Sequence, residues 1–244
     1  MRKCWAIAKK NIRIYYLKGP VLIFGILFPT FLFLAFAIGR NVPAQSLVPG
    51  LIGMAVFFTA SATTPAILPF ETRTRTLERL LVAPLPLSTL IGGDVLSAFI
   101  YGLFLSAIPL VISFGVLGAA VVEPGALVAA VVLSALCFAL LGTLLSAPPT
   151  DEPSSIMTLS NLVRLPLIFF SGVFVPVSQM PPWGQWLARI SPLTYTTELL
   201  RAGIGQPVQI GPGWCVVALL GFSAAFWLVA LSLHRRNMSR RLAL

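Results

Sequence analysis

Residues 126–147 read ALVAAVVLSALCFALLGTLLSA, a run with no charged side chain and only Ser134, Thr143 and Ser146 to break its apolar character. A helix needs roughly 20 apolar residues to cross the hydrocarbon core of a bilayer, and this run supplies them. The whole chain follows the same rule. Of its 244 residues, 57% are hydrophobic and 10% charged, against about 25% charged in a soluble domain. Folding in water would need a polar surface that this sequence does not have.

Scanning outward from that run gives six spans, at about 20–39, 47–69, 90–118, 126–147, 156–175 and 214–233. The expected fold is therefore an all-α integral membrane protein forming a single transmembrane domain over 1–244. Turn chemistry separates the spans: Asn41-Val42-Pro43, Glu123-Pro124-Gly125 and Ala147-Pro148-Pro149. The third span is long enough to tilt or to extend beyond the membrane. Net charge is +10, and the placement of the cations sets orientation. Arg2, Lys3, Lys9, Lys10, Arg13 and Lys18 precede the first span, Arg73, Arg75 and Arg79 follow the second, and Arg235, Arg236, Arg240 and Arg241 close the chain. In a six-span plan these 13 of the 17 basic residues share one side. Arg40, Arg189 and Arg201 fall opposite. Both termini are expected in the cytoplasm, the chain in the cytoplasmic membrane, and the basic excess is read as a topology signal rather than a nucleic-acid site.

Residues 1–19 carry Trp5, Ala8, Ile12, Tyr15 and Tyr16 on one helical side and Arg2, Lys3, Lys10 and Arg13 on another. This suits an amphipathic helix in the headgroup plane, or a topology signal with no further role. Ala35, Phe36 and Ala37 imitate a signal-peptidase site, but the apolar stretch before them is too long for a leader, so it is expected to remain as a span. Cys4, Cys137 and Cys215 are far apart and odd in number, which argues for buried thiols rather than a disulfide or zinc framework.

Between the second and third spans, residues 71–86 run ETRTRTLERLLVAPLP. Residues 71–82 suit a short helix. Glu71 and Arg75 stand at i, i+4, as do Arg75 and the like-charged Arg79, so ion pairing along the helix is not its purpose. Leu77, Leu80 and Leu81 form an apolar strip beside Glu78 and Arg79, and Pro84 and Pro86 end the element. Such a helix can dock on a cytoplasmic partner or lie on the membrane surface. Between the fifth and sixth spans, Trp183, Trp186, Leu187 and Ile190 recur at i, i+3, i+4, i+7, one apolar stripe. Ser191-Pro192 then suits the start of a second short helix. Residues 182–204 are expected as two outer helices dipping into the leaflet, with Trp183 and Trp186 in an interfacial belt and Glu198 pairing with Arg201. They form either a gate or an inert lid.

Thr76-Leu77-Glu78-Arg79-Leu80-Leu81 followed by Pro84 resembles the signature of ABC-2 type transporter permeases, close to the drug- and glycan-exporting branch. Arg73 and Arg75 stand where members often carry an acidic residue and a glycine. The Ser171-Gly172-Val173-Phe174-Val175-Pro176 exit from span five is similar to the family pattern. So are Met180-Pro181-Pro182-Trp183, Ser191-Pro192-Leu193-Thr194-Tyr195 and the closing Arg201. The resemblance covers essentially the whole chain. It implies that residues 71–82 are a coupling helix, with Glu71, Arg75, Leu77, Glu78, Arg79, Leu80 and Leu81 facing an ABC nucleotide-binding ATPase. It implies two permease copies, a homodimer, above two ATPase chains. It also implies an outer gate at Trp183, Trp186, Tyr195, Glu198 and Arg201, and export of an amphiphilic drug, lipid or lipid-linked glycan. No cofactor is expected on this chain, with ATP and magnesium in the partner subunit.

Charges inside a membrane are costly and mark function. Arg164, near Asn161 in the fifth span, is expected to line the substrate path or the dimer interface, or to snorkel toward the cytoplasm. Asp94 is expected at the cytoplasmic boundary, and Asp151 and Glu152 in a solvated inner turn. Gly102 and Ser106, one turn apart, suit close helix packing or lipid-facing filler. The only lysines are Lys3, Lys9, Lys10 and Lys18, none after a phosphate-binding glycine loop, and His234 is the sole histidine. Neither a P-loop nor a Ser-His site can be assembled, so the chain is not expected to be an enzyme. The remaining alternative is an ion-coupled secondary transporter, which calls for internal repeats and deep carboxylates; neither is read in the sequence.

Overall fold

Proline sets most of the helix starts. Pro124, Pro153, Pro182, Pro192 and Pro212 each open a helix, where the missing N–H would be unpaired anyway and the fixed φ suits the first turn. A computed structural model of the chain describes residues 2–16, 27, 30–31, 34–35, 44–77, 86–115, 117–150 and 152–241, and among them no strand occurs. In chain order the helices are α1 (Arg2–Asn11), continued by a wider π turn (Ile12–Tyr16), α2 (Ala44–Ser61), α3 (Thr64–Arg73) and α4 (Leu87–Gly115). They continue with α5 (Pro124–Leu145), α6 (Pro153–Phe169), a 3-10 turn (Val177–Gln179), α7 (Pro182–Ile190), α8 (Pro192–Ile204) and α9 (Pro212–Arg241).

Four helical stretches among the described residues are long and apolar enough to cross a membrane: Gln45–Arg73, Leu87–Gly115, Pro124–Leu145 and Pro212–Met238. The first is α2 and α3 together, joined through Ala62 and Thr63. The expected span at 20–39 falls almost wholly outside the described residues. The expected span at 156–175 is shorter than its sequence suggested. α6 stops at Phe169, about 25 Å from its start at 1.5 Å per residue. The Ser-Gly-x-Phe-x-Pro segment beyond it is a turn, made possible by Gly172 at φ +78°.

α2 forms the middle of the bundle against α4, α5 and α8, while α5 also packs on α9. Phe57 of α2 meets Phe138 of α5 edge to face, with ring centroids 4.8 Å apart. Close approach depends on small residues. A Cβ at Gly142 would lie 2.8 Å from the Ser61 carbonyl oxygen, and one at Gly102 would lie 2.8 Å from the Ala60 Cβ. Gly102 thus serves helix packing, and Ser106 is fully buried beside it. The outside of the bundle is apolar. Phe104, Val111, Val128, Leu162, Trp214 and Leu228 are all exposed, and most of the apolar length of α9 lies on the outside. A continuous surface of this kind is stable in lipid and not in water.

The helices run between two ends. The near end gathers α1, the close of α3, the start of α4, and His234 of α9, whose Nε2 lies 3.0 Å from the Thr143 carbonyl at the end of α5. The far end gathers the start of α2, where Gln45 donates to the Gly118 carbonyl at 3.2 Å, with α7 and α8.

Gly142→Ala places a methyl against backbone that cannot swing aside. We expect it to cost about 1–3 kcal/mol, lowering the melting temperature in detergent by several degrees. Gly221→Ala, whose added Cβ meets nothing within 4 Å, should leave it unchanged or slightly raised. Equal melting of the two variants would contradict the α2–α5 contact.

Candidate functional site

At the near end, apolar packing first brings the elements together. Ile7, Leu68, Leu77 and Leu90 form one buried cluster across α1, α3, the stretch after it and α4. An added Cβ at Gly93 would lie 2.5 Å from the Ile7 side chain, so α1 lies tight on α4. The buried face of α1 and its π turn is Ile7, Ala8, Asn11 and Tyr16, with Trp5 56% exposed. The expected side shares Ala8 and Tyr16 with this face, but Ile7 and Asn11 lie inward where Trp5 was expected. Tyr16 packs against Tyr101 in a tilted pair with ring centroids 4.6 Å apart, and its hydroxyl pairs with Thr64 Oγ1 at 3.2 Å.

Polar contacts lock that packing. Lys10 forms an ion pair with Glu71, whose side chain is almost fully buried near the end of α3. The Asn11 amide donates to Asp94 Oδ1 at 2.6 Å. Asp94, two turns into α4, is 2% exposed and enclosed by protein. Burial, followed by the Glu71 and Asp94 carboxylates, pushes the Tyr15 phenol well above its ordinary value.

The expected helix over 71–82 divides. Glu71 belongs to α3 and pairs with Lys10, not with Arg75. Over the last turn of α3, Thr72 donates to the Leu68 carbonyl at 2.9 Å and Thr74 to the Phe70 carbonyl at 2.8 Å. Arg75 turns the chain at φ +53°, in the left-handed region that glycine adopts most easily. Leu77 is buried. Glu78, Arg79, Leu80 and Leu81 lie outside the described residues.

At the far end, Glu198 is buried between α8 and the loop after it. Its Oε1 accepts from Arg201 Nη1 at 2.9 Å, and its Oε2 accepts from the backbone N–H groups of Gln209 at 2.6 Å and Ile210 at 3.3 Å. Arg201 Nη2 also donates to the Gly172 carbonyl at 2.9 Å. Thr197 donates to the Ser171 carbonyl at 3.0 Å, and Ser191 Oγ to the Leu167 carbonyl at 3.2 Å. These bonds fasten α7 and α8 onto the exit of α6. The Tyr195 hydroxyl donates to the Arg189 carbonyl at 2.8 Å. Trp183 and Trp186 are 63% and 65% exposed. The α7 stripe therefore faces away from the bundle, with Gly184 and Ala188 turned inward.

Arg164 stands apart from both clusters, on the buried side of α6 at 2% exposed. Nη1 donates to Asn161 Oδ1 at 3.4 Å, a long bond, and Nε and Nη2 have no partner. Sequence reasoning brought Asn161 to Arg164 and Glu198 to Arg201. It missed Lys10 with Glu71 and Asn11 with Asp94, and it expected no deep carboxylate, whereas Glu71, Asp94 and Glu198 are all buried. A lone acid in an apolar run demands a partner; that signal was present at Asp94, but it does not say which residue answers it.

Glu71→Lys sets two cations together in a partly buried place and should cost about 3 kcal/mol, seen as a lower melting temperature. Adding Lys10→Glu restores an opposite pair and should recover most of the loss, a coupling that a double-mutant cycle reads directly. Additive losses would contradict the ion pair.

The model of the ABC-2 type transporter family matches residues 2–204. The inner membrane transport permease YadH of Escherichia coli strain K12 is 31% identical over 199 residues, covering 81% of this chain and 77% of the relative. The YadH permease of Shigella flexneri matches equally. A shorter similarity, 38% over 53 residues, joins 22% of this chain to 4% of the ABC multidrug transporter atrI of Aspergillus fumigatus. With the apolar helices described above, these matches show that the chain belongs to the ABC-2 type transporter family as a membrane-embedded permease.

Proposed function

We propose that this chain is the permease subunit of an ATP-driven exporter of amphiphilic molecules across the cytoplasmic membrane. Two copies, read as a homodimer, sit above two separate ATPase chains that hold ATP and magnesium. The near end is cytoplasmic, the far end faces outward, and the chain spans the bilayer about six times as one domain. The observation that carries this reading is the near-end lock. It ties α1, α3 and α4 to the chain stretch that the family resemblance makes the coupling helix.

Nucleotide-driven closure of the ATPase subunits pushes the coupling stretch. Leu77, buried with Ile7, Leu68 and Leu90, passes the push to α3 and α4 together. The Lys10–Glu71 and Asn11–Asp94 contacts carry α1 along with them. α2 continues α3, so the displacement reaches the middle of the bundle, and the path between the two copies changes access. At the far end, α7 and α8 move with the exit of α6 because Glu198 and Arg201 fasten them to it, and they gate that side. The ion-coupled alternative gains nothing from the buried carboxylates. Glu71 is taken by Lys10, Asp94 accepts from Asn11, and Glu198 is held by Arg201 and backbone N–H groups.

Leu80→Asp puts a charge on the apolar strip read in the coupling stretch. Purified in mild detergent, the unaltered chain should bring a P-loop ATPase with it, and the variant should insert normally yet lose that ATPase. A variant that retains the ATPase and its hydrolysis would sink the coupling assignment. An unaltered chain that purifies alone and moves solute on an ion gradient would replace the whole reading.

A further inference from the structure

We propose that Arg164, with Ser160 and Asn161, is a recognition site for the anionic headgroup of an amphiphile, a phosphate monoester in its simplest form. That this occupant is the transported molecule rests on the permease reading above; the binding site itself does not.

The guanidinium carries five N–H donors on a planar fork. Here Nη1 makes one long contact with Asn161, while Nε and Nη2, which together form one complete edge of the fork, have no partner and are buried. One turn earlier on the same buried side, Ser160 is fully buried and its hydroxyl is likewise unpartnered. An unpaired buried cation is strongly unfavourable, and in an apolar medium it persists where a function holds it. The described acids do not serve it. Glu71, Asp94 and Glu198 have the partners named above, Glu152 accepts from Ser155, and Glu123 is exposed in the far-end loop. Snorkelling does not relieve the charge either, because only 2% of Arg164 is exposed. It lies about 16 Å along α6 from Pro153, three residues before the Leu167 carbonyl that Ser191 caps.

The unanswered groups are N–H donors and a hydroxyl, with no carboxylate beside them. Their natural complement is a charged group with two or more acceptor oxygens, which the edge of a guanidinium binds in bidentate fashion. The rest of α6 says what carries that group. Leu159, Leu162 and Phe169 are exposed along its outer side at 41%, 70% and 48%. Asn161, itself exposed, stands between this apolar strip and the guanidinium. A headgroup at Arg164 thus leaves its apolar tail a surface on the same helix. A free anion has no use for that strip.

The test uses the full chain in uncharged maltoside micelles, with dodecyl phosphate as the probe, followed by titration calorimetry and thermal melting. The unaltered chain should bind the probe saturably. Arg164→Gln should bind it at least about tenfold more weakly, the loss expected for a hydrogen-bonded charge, and Ser160→Ala several-fold more weakly. Inorganic phosphate at the same concentration should not displace the probe; displacement would make a free anion the occupant and overturn the amphiphile. Without probe, Arg164→Met removes the unpaired charge and should raise the melting temperature by about 2–4 °C, with saturating probe closing that gap in favour of the unaltered chain. Binding by Arg164→Gln equal to that of the unaltered chain would overturn the site. A lower melting temperature for Arg164→Met, together with dissociation of a dimer, would place an acceptor of a second copy on the fork instead. None of these readouts needs an ATPase. A failed site therefore leaves the permease reading standing, and a missing ATPase leaves the site standing.

Discussion

Asp94 accepts the Asn11 amide at 2.6 Å in a place that water does not reach. Lipid offers nothing to a carboxylate, so a polar group inside a bundle of this kind must be answered by protein. That requirement explains why α1, with so much basic character, is not merely laid on a surface. Asn11 and Lys10 are adjacent in sequence and point to two different acids, Asp94 on α4 and Glu71 on α3. One short helix thereby holds α3 and α4 in a fixed relation. The apolar cluster of Ile7, Leu68, Leu77 and Leu90 supplies the contact area, and the polar pair fixes its register.

The far end solves the same problem differently. Glu198 is satisfied on both oxygens, and Arg201 spends its fork on Glu198 and the Gly172 carbonyl. The outcome is a cap in which the turn after α6 and the end of the loop before α9 are tied to α8. Among the described residues, Arg164 departs from this pattern: Nε and Nη2 of its buried guanidinium have no partner, the opening proposed above for an anionic headgroup.

Much of the architecture was legible because its causes are local. Apolar runs gave the long helices among the described residues, Ser191-Pro192 marked the start of α8, and Gly102 offered close packing as one of two readings. The end of α6 was misplaced because Gly172 makes a turn within a stretch that is still apolar, and hydropathy does not register backbone conformation. The break at Thr74 and Arg75 was hidden for the opposite reason. Alternating threonine and arginine suit a helix by charge spacing, and nothing in a non-glycine residue announces the left-handed turn that Arg75 makes. The Lys10–Glu71 and Asn11–Asp94 contacts join residues 61 and 83 positions apart, a distance at which a single sequence names a need without naming its partner.

The central claim is that α1, α3 and α4 form one body that moves when the partner ATPase closes. Electron paramagnetic resonance measures it directly, with spin labels at the exposed positions Trp5 and Phe104 in a chain whose native cysteines are replaced. The distance between the two labels within one chain should stay the same when ATP and magnesium are trapped in the complex, while the Phe104-to-Phe104 distance between the two copies changes. A change in the Trp5-to-Phe104 distance on trapping would show α1 moving independently of α4 and would contradict the account.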